Sequence, residues 1–273
     1  PDGRTLIIDL LGSLWTLPSS GGAAKRITDE YLDARQPAWA PDNRRVAFQG
    51  YTNGVWHIYV MNADGSNVRA ITSGPFDDRG PSWSRDSNRI AFSSDRSGNY
   101  DVFDLDVATG AVRQLTTDPA NDYAPAYSPT DGRIAFVTER DDRRGVWVVD
   151  TTTSAASSLA PAGVGAGVGG VAWTRDGAKV IYNVIANNRS NLVFDGKELT
   201  QDEDVFPFRP QWISATEFIY PADGQIKRRS TAGGTATTIE FAAPVSFTRT
   251  PYRTLARDFD SRAAKPVQGI TSP

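Results

Sequence analysis

Five times along this chain an x-Pro-x-(Trp/Tyr) step, or a near variant, leads into a polar turn and then a short apolar run. The copies are Gln36-Pro37-Ala38-Trp39, Gly80-Pro81-Ser82-Trp83, Ala124-Pro125-Ala126-Tyr127, Gly170-Val171-Ala172-Trp173 and Arg209-Pro210-Gln211-Trp212. Their aromatic anchors stand 44, 44, 46 and 39 residues apart. A unit of that size cannot bury its apolar surface alone, but stacked units can. A period of about 40–45 residues with several strands per unit is that of propeller blades. The expected fold is all-β: a six-bladed β-propeller of four-stranded antiparallel blades. Most aromatic residues then serve packing between blades, not chemistry.

One unit shows the strands plainly. Pro81-Ser82-Trp83-Ser84 is an innermost strand, and Arg85-Asp86-Ser87-Asn88 is a turn of residues that bond their own backbone. Arg89 to Ser93 and Tyr100 to Asp106 follow as the second and third strands, and Ala111 to Thr116 as the fourth. Glycines recur where the third strand turns into the fourth, as at Gly21-Gly22, Gly65, Gly196 and Gly233-Gly234, where a tight hairpin needs positive φ. The second strands (Val46-Ala47-Phe48, Ile90-Ala91-Phe92, Ile134-Ala135-Phe136, Val180-Ile181-Tyr182, Phe218-Ile219-Tyr220) are apolar on both faces, as strands covered on both sides must be. No stretch sustains helical apolar spacing, so no long helix is expected.

Pro1-Asp2-Gly3 stands where Pro41-Asp42-Asn43 stands in the next unit, and Pro273 matches Pro37. With that phase the 273 residues hold six repeats, cut within an innermost strand. The whole chain, 1–273, is therefore expected to be one propeller domain excised from a longer protein. The last repeat is overlong, and its excess around 245–264 reads as an excursion or linker; a seventh, degenerate blade there is the alternative. The net charge of −3 is small and mixed, which argues against nucleic acid or an anionic membrane as partner. No apolar run reaches the roughly 18 residues of a membrane helix. There is no cysteine, so disulfides and thiolate metal sites are excluded.

Three stretches resemble the PD40, or TolB-type, propeller repeat: Pro81 to Phe92, Asp95-Arg96-Ser97-Gly98-Asn99-Tyr100-Asp101-Val102-Phe103, and Ile58-Tyr59-Val60-Met61-Asn62-Ala63-Asp64-Gly65-Ser66. The resemblance implies a periplasmic or secreted bacterial protein and a protein or peptide partner. Propellers of this type occur in the Tol system, before the catalytic domain of prolyl-oligopeptidase-like and tricorn-like peptidases, and at the N-terminus of large proteins that end in an amidohydrolase domain. Asp9 to Pro18, Gly21 to Thr28 and the closing runs Arg257-Asp258-Phe259-Asp260 and Lys265 to Pro273 are similar to the third group, which implies a covalently linked hydrolase domain.

Catalytic constellations are absent from the sequence. His57 is the only histidine and sits mid-strand, away from any turn that would present it beside a nucleophile. No G-x-S-x-G elbow is present. Gly165 to Gly170 matches G-x-G-x-x-G formally, but a strand and not a helix follows, so it reads as an interblade loop. No cofactor is expected. Asp77-Asp78, Asp141-Asp142 and Asp202-Glu203-Asp204 offer oxygen ligands suited to calcium, without EF-hand spacing. Asn188-Arg189-Ser190 fits the glycosylation sequon.

The candidate partner-binding set lies just before the innermost strands, where loops gather at one mouth of the channel. Arg35 and Arg79 share one repeat position, Tyr123 takes it in the next unit, and Arg209 lies one residue nearer the anchor. Asp33, Asp77, Asp78 and Asp122 stand beside them. Alternating guanidinium and carboxylate groups pair in a geometry-specific way and suit a peptide terminus or a partner's charged side chains. Pairing among themselves, between blades, is the alternative. Trp15, Trp56 and Trp147 are read as core.

Overall fold

The computed structural model describes residues 2–29, 31–140, 145–161, 167–186 and 188–246. Blade 1 contains β1 (Thr5–Leu10), β2 (Ser13–Pro18), β3 (Gly22–Ala23) and β4 (Lys25–Arg26). Blade 2 is β5 (Arg35–Trp39), β6 (Arg45–Thr52), β7 (Val55–Asn62) and β8 (Arg69–Ala70). Blade 3 is β9 (Asp78–Trp83), β10 (Arg89–Ser94), β11 (Asp101–Asp106) and β12 (Val112–Gln114). Blade 4 is β13 (Asp122–Tyr127), β14 (Arg133–Thr138), β15 (Gly145–Asp150) and β16 (Ala156–Pro161). Blade 5 is β17 (Gly167–Trp173), β18 (Val180–Ala186), β19 (Arg189–Phe194) and β20 (Lys197–Glu198). Blade 6 is β21 (Gln211–Trp212), β22 (Glu217–Ala222), β23 (Gln225–Ser230) and β24 (Thr237–Thr238), with β25 (Phe241–Ala242) following.

Blades 2 to 6 are four-stranded antiparallel meanders, and β1, β2 and β4 form a three-stranded sheet in blade 1. The molecule is an all-β, six-bladed propeller, as the repeat predicts, and no α-helix occurs among the described residues. The first strands of blades 2 to 5 pack against one another around the axis.

Six apolar clusters fill the six joints between neighbouring blades. Ala47, Ile58 and Val60 of blade 2, for example, meet Trp83, Ile90 and Phe92 of blade 3. Phe48, Phe92, Phe136 and Phe218, one from each of four second strands, are fully buried. Truncating one such ring costs about 3–5 kcal/mol, so these runs hold the ring together. At the last joint Ile213, Ile219, Ile226 and Ile239 of blade 6 pack on Leu6, Trp15 and Leu17 of blade 1. The chain then crosses to blade 1, where β25 pairs in parallel with β3. Gly22 and Ala24 donate their N–H groups to Glu240 O and Ala242 O at 2.9 and 2.8 Å.

The inner strands begin earlier than the sequence suggests, because each passes a break in its ladder and resumes beyond it. In β5, β9, β13 and β17 the pairing register shifts around the residues just before the anchor. In β17, where Val171 stands in place of proline, the shift occurs all the same. In β5, β9 and β13 the break falls at a proline, which has no N–H to continue the ladder, and the strand passes it by a bulge. The residue before it has positive φ: 50° at Gln36, 64° at Gly80 and 47° at Ala124. The ladder then resumes on the far side, so Arg35, Asp78, Arg79, Asp122 and Tyr123 belong to strands and not to loops.

Close contacts divide the chain into two compact units, Pro1–Ala243 and Pro244–Pro273. The propeller is the first. Asp141 and Asp142, Gly165 and Ala166, and the residues from 247 onward lie outside the described residues, and with them nearly all of the 245–264 stretch.

Candidate functional site

In a meander whose first strand is innermost, the blade-to-blade connections and the turns between second and third strands emerge on the same face. That face carries the predicted set. On it Trp56, at the start of β7, is contacted by two guanidiniums, with Arg35 Cζ 5.2 Å and Arg79 Cζ 5.3 Å from its ring centroid. Each arginine is steered by the aspartate two residues before it. Arg35 Nε and Nη2 donate to the two oxygens of Asp33 at 3.0 and 3.1 Å, and Arg79 Nη2 donates to Asp77 at 2.8 Å. Each pair joins residues two apart in sequence, so the pairing runs along each blade and not between blades; Asp33, at φ 43°, and Asp77 lie just ahead of β5 and β9. Asp77 also accepts the Trp56 N–H at 2.8 Å, which fastens blade 2 to blade 3.

The electrostatics follow from this geometry. Burial works against ionisation of Asp77, but the bonds from Arg79 and from the Trp56 N–H outweigh it and hold the carboxyl below the usual 3.8. Arg79 is likewise raised: burial opposes its charge, and Asp77 more than compensates. Tyr100, whose hydroxyl reaches Asp77 at 3.4 Å, is pushed up chiefly by burial. Tyr51 packs tilted against Trp56, with ring centroids 5.2 Å apart.

The other predicted residues serve different ends. Asp78 is fully buried beneath this layer, paired with Arg96 at 2.7 Å. His57, on β7, places Nδ1 3.8 Å from the second Asp78 oxygen. Asp122 is also fully buried and paired, with Arg140 at 2.9 Å; burial pushes its carboxyl up against the pull of Thr138 and Arg140. Tyr123 packs tilted against Tyr100 and donates its hydroxyl to Glu139 at 3.2 Å. These are blade-stabilising pairs.

Arg209 occupies the bulge position of blade 6, in register with Gln36, Gly80, Ala124 and Gly170. Its side chain crosses the axis to blades 3 and 4. Nη1 donates to Pro81 O at 3.1 Å, and Nη2 donates to Gly80 O at 3.5 Å and to Pro125 O. Burial lowers its pKa to about 10, so it stays charged at neutral pH. Gly170 of the neighbouring blade lets the chain approach here: a Cβ on it would overlap the Arg209 backbone nitrogen. Arg209 is thus committed to the channel interior.

Two of the oxygen clusters are also accounted for. Glu203 accepts from Arg229 at 2.8 Å and from the Tyr220 hydroxyl at 2.7 Å, and Asp202 lies 3.7 Å from Arg189. No group of three or more His, Cys, Asp or Glu side chains converges among the described residues. Gly167 to Gly170, read from sequence as loop, open strand β17 and pair with β18. Asn188 sits in the turn between β18 and β19, and Ser190 is buried on β19.

What the sequence reading missed is aromatic. Trp56 is core by exposure, yet two guanidiniums, those of Arg35 and Arg79, lie over its indole. Phe206 and Phe208 stack in parallel, 6.4 Å apart and 8° from coplanar, in the connection from blade 5 to blade 6. They are 43% and 49% exposed. The signal was present as two phenylalanines flanking a proline in an acidic loop, off any strand alternation.

The profile of the TolB beta propeller domain (PD40) matches residues 16–201. The chain belongs to that family. Comparison with curated proteins finds no match. Among solved structures, TolB from Acinetobacter baumannii superposes with a TM-score of 0.73 at 19% identity, over 85% of this chain and 62% of its own. A putative TolB from Agrobacterium tumefaciens gives 0.61 at 18%, over 88% and 77%. A puromycin-hydrolyzing peptidase from Mycobacterium tuberculosis gives 0.61 at 14%, over 86% and 45%. The chain therefore spans less than two thirds of the Acinetobacter protein and less than half of the peptidase. At these identities the likeness concerns the fold.

Proposed function

We propose that this propeller is a non-catalytic module that recognises a protein or peptide on its arginine-bearing face, as part of a larger periplasmic or secreted bacterial protein. The carrying observation is where its exposed apolar residues lie. Leu11, Tyr31, Tyr51, Phe206 and Phe208 all project from the face of the Arg35–Trp56–Arg79 stack, whereas Val68 and Val112 emerge on the opposite one. Aromatic and arginine side chains on a rigid scaffold are the groups that dominate binding energy at interfaces. The stack is held in place before any partner arrives, which lowers the ordering cost of binding. Family membership supports the periplasmic or secreted setting.

A second reading, a propeller that gates a hydrolase domain beyond this chain, draws support from the likeness to part of the mycobacterial peptidase. Arg209 speaks against passage along the axis, since its side chain bridges the channel from blade 6 to blades 3 and 4. The deciding experiment places a photo-crosslinking amino acid at Tyr51 or Phe208, and at Val68 or Val112 as controls, in the native host. Crosslinks to one protein from the first pair and not the second are expected. Equal or reversed labelling would overturn the assignment of the face.

A further inference from the structure

We infer that the Phe206–Phe208 platform, together with Asp202 and Asp204 of the same connection between blades 5 and 6, docks a cationic side chain, preferentially arginine, carried on an extended segment of the partner protein. This rests on the reading that the arginine-bearing face recognises a protein.

The platform is rigid although it is exposed. Val205 bridges to Ala222 and is buried, and Phe206 N–H donates to Pro221 O at 3.0 Å. Asp204 and Asp223 exchange bonds on the same edge, the Asp204 N–H donating to the Asp223 carboxylate at 2.8 Å and the Asp223 N–H to Asp204 O at 3.0 Å. Pro207 O accepts the Gly170 N–H at 3.0 Å. With its amide turned to suit its neighbours, buried Asn183 donates to Phe208 O at 3.0 Å and to Gly170 O at 3.1 Å. Five bonds thus hold a loop whose two large rings face water. Nothing in the propeller's own packing calls for that display, and paired rings on a fixed backbone are an anchor for something else.

The charges nearby select the occupant. Of the three consecutive acids, Glu203 is neutralised by Arg229 and Lys227. Asp202, 93% exposed, has only a loose contact with exposed Arg189 at 3.7 Å. Asp204 has no cation within ion-pair distance among the described residues. The faces of two phenyl rings carry negative quadrupole, and the free carboxylates add to it, so the local field favours a cation. Guanidinium is preferred over ammonium because it is planar, weakly hydrated and stacks on a ring while its edge binds carboxylate. An acidic segment would meet repulsion, and a purely apolar one would leave the carboxylates desolvated without a partner.

The test uses the full chain and capped Gly-Arg-Gly-Arg-Gly peptide, with lysine, citrulline and glutamate versions, read by calorimetry at low and high salt. Saturable binding of the arginine peptide, weaker binding of the lysine peptide and none of the other two are expected. Phe206→Ala with Phe208→Ala should weaken the arginine peptide about fivefold or more, the loss of an exposed cation–π contact. Phe206→Leu with Phe208→Leu keeps apolar surface and should weaken it similarly. Asp202→Asn with Asp204→Asn should weaken it and flatten its salt dependence. Equal binding of citrulline or glutamate peptide, unchanged binding in the leucine variant, or no saturation with the native chain would each overturn the inference. If crosslinks from Tyr51 and Phe208 persist in that case, the face binds a protein by other chemistry, and only the cationic occupant falls.

Discussion

Replacing Arg209 with alanine removes a side chain that ties blade 6 to blades 3 and 4 across the axis, and the structure sets the scale of the loss. Two terms oppose each other. Burial lowers the arginine from 12.5 to about 10, a cost of ~3 kcal/mol at about 1.4 kcal/mol per tenfold change. Against it stand three bonds from a charged donor to Pro81 O, Gly80 O and Pro125 O, each worth about 1.5–3 kcal/mol, although the one to Gly80 at 3.5 Å is at the weak end. The bonds win by a few kcal/mol, and alanine also strands three carbonyls and removes the packed stem. Arg209→Ala should therefore lose about 2–4 kcal/mol in urea unfolding, which lowers Tm by roughly 4–16 °C in a domain of this size. Arg209→Met keeps most of the volume and sheds the desolvation cost, so it should fall between the two. Hydrogen exchange should quicken at the inner strands of blades 3 and 4, far along the chain from the substitution. A variant within about 1 °C of the native Tm, with exchange unchanged there, would refute the cross-axis tie.

Other expectations follow from the same geometry. Asp78→Ala leaves the Arg96 guanidinium buried over Phe92 and Phe103 and should cost about 3–5 kcal/mol in urea unfolding, whereas Asp33→Ala at the exposed pair should cost less than about 1. Gly170→Ala forces a methyl onto the backbone of Phe208 and Arg209 and should cost about 1–3 kcal/mol or more; Gly196→Ala meets open space and should cost only the ~1 kcal/mol of its positive φ, so equal losses would contradict the packing. In acid, Asp86, Asp131, Asp150 and Asp176 are held below 3.8 by bonds from Ser84, Arg133, the Thr153 N–H and Thr174 respectively. Carboxyls lowered by folding contribute stability that is present above their unfolded pKa and lost as pH falls through the folded one. The urea midpoint should hold to about pH 4 and drop below it, with buried Asp122, shifted the other way, softening the fall. A midpoint that drops mainly between pH 7 and 5 would show other groups in control.

The blades were legible because their anchors and second strands repeat on a fixed phase, and burial on both faces leaves Val46-Ala47-Phe48 or Ile134-Ala135-Phe136 little choice of residue. The inner strands were legible only from the proline onward. Asp78 and Arg79 precede a bulge, and whether a ladder resumes beyond a bulge is decided by the partner strand, which composition does not display. The same gap misplaced Arg209. Counting put it beside the mouth arginines, yet it occupies the bulge position itself, from which a side chain enters the channel. Pairing of Asp33 with Arg35 and of Asp77 with Arg79 is local to the point where each connection enters its strand, since β5 starts at Arg35 and β9 at Asp78 and Asp33 has a positive φ, and two-residue spacing alone does not announce it. The parallel β3–β25 contact had no sequence cue, since two residues on each side carry no pattern.

The bulge also explains how one arginine finds three acceptors at once. At an x-Pro step the backbone leaves its ladder, and in blades 3 and 4 the carbonyls so released point at Arg209. In these two blades the acceptors at the axis are supplied by irregularity in the strands, not by any dedicated side chain. A long cationic residue introduced at this position in another blade, at Ala124 for instance, would face the same oxygen-rich interior. Which blade sends the bolt across is therefore free to change by single substitutions while the barrel of the lock stays as it is.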